Sequence, residues 1–149
     1  MTMRPEAAIT LDELTELAND SAEAYVQAAD YASGDLRDMF RLLAGQRRHM
    51  AEALADQVRL LGHPARERDT PSGAAHRLMA RLKSSFVGDR PRALIEECER
   101  ADTTLAHRLI TVDERLLPPQ AVTLIRAFLA EAVAALGQLA AARVRLRGR

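Results

Sequence analysis

The chain has 149 residues, 48% of them hydrophobic and only 3% aromatic, with 21 acidic residues against 21 basic ones. That is the length of one domain, enough to bury a core without a disulfide or a metal to hold it. Balanced charge argues against a polyanion binder, and a single cysteine excludes an internal disulfide and a cysteine-based zinc site.

Ala, Leu, Arg and Glu dominate, all good helix formers, and no alternating apolar run suggests a strand. The opening MTMRPEAAITLDEL lacks an apolar stretch behind a basic one, so no secretory signal is expected. Helix A is predicted over about 10–32. Thr10 is a natural N-cap there, and Glu13 completes a capping box. The break SGD at 33–35 leads into helix B, about 35–61, which Gly62 can close as the residue just past its end. A loop, HPARERDTP, precedes a short amphipathic helix over about 73–86. GDRP at 88–91 breaks the chain again, with Asp89 as N-cap and Pro91 in the first turn of helix C, about 90–113. LLPP then separates helix D, about 118–146, which Pro118 or Pro119 can open. Its stretch AFLAEAVAALGQLAAA (127–142) is interrupted by Glu131 and Gln138. That is shorter than the roughly 20 residues a membrane span needs, and reads as a bundle helix. A cytoplasmic location is the expectation.

Four long helices with short A–B and C–D turns predict an all-α four-helix bundle, a single domain over 1–149. The A–B and C–D pairs should be antiparallel neighbours. The long B–C connection can run the length of the bundle, so helix C should start at the same end as helix B. At 100° per residue the apolar stripes follow. Helix A turns in Leu11, Leu14, Ala18, Ser21, Tyr25 and Ala28. Helix B turns in Phe40, Leu43, Met50, Leu54 and Val58. Helix C turns in Leu94, Cys98, Ala101, Leu105 and Leu109. Helix D turns in Ile125, Phe128, Ala132, Leu136 and Leu139.

Two polar residues interrupt these stripes. Arg47 lies between Leu43 and Met50, and Ser21 holds the corresponding place on helix A. A buried guanidinium needs a partner, because an unpaired charge in a core is costly; Arg can also snorkel to the edge. On helix C, Glu97 and Asp102 reach the boundary on opposite flanks of the stripe. Glu97 is the expected partner, in a buried Arg47–Glu97 ion pair.

The segments NDSAEAYVQAAD (19–30), LLAGQRRHMAEAL (42–54), AAHRLMARLKSSFVGD, LIEECERADTTL and RLLPP together resemble a bacterial four-helix-bundle family. That family is placed in the ferritin-like superfamily and described only as a domain of unknown function. The resemblance covers roughly residues 10–145 and is most specific at LIEECERAD. It implies the fold and lends no catalytic residues. Di-iron members of the wider superfamily use a Glu from each of two helices and Glu-x-x-His from each of the other two. Here the residues three before His49, His63, His76 and His107 are Gln46, Leu60, Gly73 and Thr104, none of them a carboxylate. Helix D has no histidine, and Glu131 lies off its stripe.

Other constellations read better as structure than as chemistry. His49 and Glu52 share a face of helix B, but it is the outer one. His63, Glu67 and Asp69 lie in a loop at spacings that specify no ligand geometry. Cys98 sits mid-stripe, where a free cysteine packs as a small hydrophobe. No nucleophile elbow, Walker loop or dinucleotide fingerprint occurs. Residues 6–30 hold seven acids and no base, while RVRLRGR at 143–149 holds four arginines. Arginines at a helix C-terminus offset its dipole, and no aromatics interleave them to stack on bases. The expectation is a non-catalytic bundle with no catalytic residue, metal or cofactor. It would act by self-association or by binding another protein, with nucleic acid and membrane disfavoured. The alternative is a ferritin-like metal-binding or redox protein with a non-standard or degenerate site.

Overall fold

A computed structural model describes residues 5–66, 76, 80 and 90–148. Its long helices are α1 (Glu6–Tyr31), α2 (Gly34–Leu60), α3 (Arg90–Thr111) and α4 (Pro119–Arg147), with a three-ten turn at Glu114–Leu116 ahead of α4. They pack as an all-α four-helix bundle. The short helix expected over 73–86, and the N-cap expected at Asp89, lie outside the described residues apart from His76 and Ala80.

One start differs from the sequence reading. Helix α1 begins at Glu6, so Thr10 and Glu13 form no capping box. Pro5 opens it instead, with φ −64° and ψ 152°, and its carbonyl accepts from Ile9 N–H at 3.2 Å. Proline's ring presets this φ, and Glu6, Ala7 and Ala8 are strong helix formers, so the helix propagates back to the proline. Ala8 is fully buried, which rewards the extra turn. Glu13 instead bonds Arg108 on α3 at 2.8 Å.

The other boundaries follow local chemistry. Gly62 has φ +84°. Its N–H reaches Arg59 O at 2.9 Å, and His63 N–H reaches Val58 O at 3.3 Å, the two bonds of a Schellman motif. Gly34, at φ +60°, turns the chain between α1 and α2. Pro118 caps α4 and Pro119 is its first residue.

The core falls into two apolar halves. One joins the C-terminal half of α1 (Tyr25, Ala28) to the first turns of α2 and α3 (Phe40, Leu43, Leu94, Cys98) and the end of α4 (Leu139). The other joins the start of α1 (Leu11, Leu14) to the ends of α2 and α3 (Leu54, Val58, Leu105, Leu109) and the start of α4 (Ile125, Phe128). Helices α2 and α3 are therefore parallel, and α1 and α4 run the other way, as a crossover between α2 and α3 requires. Helix α1 packs on α2 and α3, and α3 on α4, while α2 and α4 share a thinner seam. That leaves α2 and α3 on one diagonal of the bundle.

By length and composition α4 is apolar enough to cross a membrane, with mean hydropathy 1.5 over its most apolar window and 28% of that window buried. Its inward face is the expected one: Ile125, Phe128, Ala132 and Leu139 are all buried.

Candidate functional site

Between the two apolar halves lies a polar layer. Ser21 and Arg47 are both fully buried, as the stripes predicted, and so is Asp102 on α3. The Asp102 carboxylate accepts four hydrogen bonds from two other helices. Oδ1 takes Ser21 Oγ at 2.5 Å and Arg47 Nε at 2.8 Å; Oδ2 takes Arg47 Nη2 at 2.9 Å and the Tyr25 hydroxyl. The Arg47–Asp102 pair is bidentate and spans the α2–α3 diagonal, through the centre of the bundle. On α4, the buried residue between the two halves is the small Ala132.

Arg47 thus pairs with Asp102, not with Glu97 as the sequence suggested. Asp102 follows Cys98 by four residues, about 40° round the helix from it, on the flank of α3 that faces Ser21, Tyr25 and Arg47. Glu97 is about 100° round the helix from Cys98. Glu97 is nonetheless buried, with its carboxylate 3.6 Å from Arg100 one turn along the same helix. The rest of the acidic run divides similarly: Glu99 meets Arg143 of α4 at 3.0 Å, and Glu96 is half-buried.

The layer's electrostatics are those of a closed circuit. A buried carboxylate is tolerable when its lone pairs are filled and a cation faces it, and both conditions hold here. Burial works against the Arg47 charge, but the hydrogen bonds and negative charge of Asp102 outweigh it and hold the guanidinium above its ordinary pKa. Burial, then the neighbouring Asp102 charge, push the Tyr25 hydroxyl far above the usual tyrosine range. Burial first, then Asp102, Glu97 and Glu99, do the same to the Cys98 thiol. Neither group ionises near neutral pH in the folded chain. The Arg47 guanidinium carbon lies 5.9 Å from the centre of the Tyr25 ring, a cation–π contact. Arg47 Nη1 has no hydrogen-bond partner among the described residues.

No group of three or more His, Cys, Asp or Glu that could hold a metal occurs among the described residues. His49 and Glu52 are exposed on α2, and His107 is exposed on α3. Glu67 and Asp69, grouped with His63 in the sequence, lie outside the described residues. Of the C-terminal arginines, Arg143 is engaged with Glu99, and Arg145 and Arg147 stand in the last turn of α4.

Two of the surface depressions among the described residues border α4. A cleft of about 520 Å³ at the α2 start includes Tyr31, Asp35, Arg90 and Arg145. A shallow groove of about 410 Å³ lies along the thin α2–α4 seam, edged by Leu42, Gly45, His49 and Glu131. Both are lined by charges of either sign, and neither reaches the buried layer's residues.

Set against known proteins, residues 6–111 match the family described as Domain of unknown function (DUF2383). No curated protein and no solved structure matches the chain.

Proposed function

The chain belongs to the DUF2383 family, a domain of unknown function, and we propose that it is a non-catalytic helical bundle that acts through its surface, by self-association or by holding another protein. The carrying observation is the state of its one polar constellation. Ser21, Tyr25, Arg47 and Asp102 are fully buried, and all four acceptor sites of the carboxylate are filled. A catalytic carboxylate or arginine keeps a free lone pair or donor turned towards a cleft where substrate can sit. This carboxylate spends its capacity on tying three helices together, and the one donor left over, Arg47 Nη1, lies in the closed core and not in a cleft.

A second reading has one observation in its favour. The polar side chains stand at mid-bundle and project inward, where di-iron bundles carry their ligands. On that reading the chain is ferritin-like, with Arg47 as a fixed cation where such proteins hold metal, and with a non-standard or lost site.

Elemental analysis of freshly purified protein, with an absorbance scan, separates the two. The first reading expects no iron or manganese near stoichiometry. A near-stoichiometric content of either overturns it.

A further inference from the structure

Arg47 leaves one end of its guanidinium open. The group is planar and three-fold, and its side-on pair with Asp102 uses the edge between Nε and Nη2. Nη1 therefore points directly away from that carboxylate. It has no hydrogen-bond partner among the described residues, on a side chain with no exposed surface. A charged donor left unfilled in a core is costly, so an acceptor within reach is favoured to turn towards it.

Helices α1, α2 and α3 meet in the polar layer, and α4 turns only small apolar residues towards it. Its inward side chains there are Ala132 and Ala135, both fully buried. Glu131 stands beside them. It comes three residues after the buried Phe128 and four before Ala135, which puts it on the edge of the inward stripe. That edge faces α2, because Glu131 lines the α2–α4 groove together with Gln46 and His49. Of the negative groups that act on Arg47, Glu131 alone stands outside the layer.

A glutamate on such an edge has two ways to turn. Outward, as in this structure, it is exposed at the groove. Inward, it carries a carboxylate towards the open side of the guanidinium. The seam between α2 and α4 is thin, so little packing has to give way for the turn. The outward state keeps the carboxylate hydrated; the inward state fills the donor that the layer leaves over. Neither wins by a wide margin on these terms, because a buried ion pair gains in attraction about what it loses in hydration.

We propose that Glu131 is a latch: its carboxylate swings inward through the α2–α4 seam onto Arg47 Nη1, and so fastens α4 to the layer that already ties the other three helices. The test is nuclear magnetic resonance on the full chain. Relaxation dispersion should detect exchange at the amides of 128–135 in wild type, and Glu131→Ala, at an exposed position, should abolish it. The Arg47 Nη signals should shift in the same variant. Arg47 signals that Glu131→Ala leaves unmoved overturn the latch and give Nη1 to a water molecule. Glu131→Asp keeps the charge on a side chain too short to arrive, and should match Glu131→Ala in both readouts. A Glu131→Asp chain that behaves as wild type overturns the proposal, because charge at a distance then suffices. In chemical denaturation Glu131→Ala should lower the folding equilibrium constant about threefold, as two states of comparable population require. It should have no such effect on top of Arg47→Met with Asp102→Leu, where no guanidinium remains. An equal loss in both backgrounds overturns the proposal.

Discussion

Removing the Asp102 carboxylate would strand the Arg47 charge in a dry core. Asp102→Ala should therefore cost about 3–5 kcal/mol in denaturant unfolding. Replacing both charged partners with apolar residues, as in Arg47→Met with Asp102→Leu, removes the stranded charge and should recover part of that loss, while the buried Ser21 and Tyr25 hydroxyls, left without their acceptor, still cost about 1–3 kcal/mol each. Chemical denaturation of wild type, Arg47→Met, Asp102→Leu and the double variant measures the coupling of the pair as a double-mutant cycle. The raised thiol and phenol have their own signature. Above about pH 8.5 the unfolded chain releases the Cys98 proton, and above about pH 10 the Tyr25 proton, while the folded chain keeps both. The unfolded state then binds fewer protons, so stability is fully present below those values and falls as pH rises beyond them. Melting temperature should decline from about pH 8.5 upward, and Cys98→Ala should delay the onset towards pH 10. The inward pointing of Arg47 and Ser21 was legible from helical spacing alone. Their partner was not. A wheel drawn for one helix places Glu97 and Asp102 both at the edge of a stripe, and which of them meets a guanidinium depends on how a diagonal helix is rotated in the bundle.

At the scale of the helix, local rules explain most boundaries and predict their sensitivities. Gly62 supplies the left-handed residue of the Schellman motif, so Gly62→Ala should cost about 1 kcal/mol. Gly45 is the opposite case. It lies mid-helix with no close neighbour to a built Cβ among the described residues, and Gly45→Ala should add about 0.5–1 kcal/mol. Thermal melts of the two variants should move in opposite directions. Helix order, the two short turns and the parallel α2–α3 pair could all be read from apolar period and Gly/Pro punctuation. The start of α1 could not, because a well-formed capping box at Thr10 competes with a proline further upstream. Propensity and the burial of Ala8 decided between them, and that burial is visible only once the neighbouring helices are in place.

For the molecule as a whole, the contacts are uneven. Helix α1 is held by α2 and α3, while α4 leans chiefly on α3 and barely touches α2. Native-state hydrogen exchange should find the slowest amides in the α1–α2 hairpin and faster exchange along α4. The polar layer has a further effect that no single helix contains. An apolar bundle can slide: shifting one helix by a turn, about 5.4 Å, trades one leucine contact for another at small cost. Here such a slip would carry Asp102 past its four donors into hydrocarbon, above or below. The layer acts as a vernier, setting the axial position of three helices from one carboxylate, much as a buried asparagine sets coiled-coil register. The Met–Leu double replacement should then lose the single register that the carboxylate sets. Its amide spectrum should show doubled or broadened peaks for α3, the trace of a bundle free to settle at more than one height.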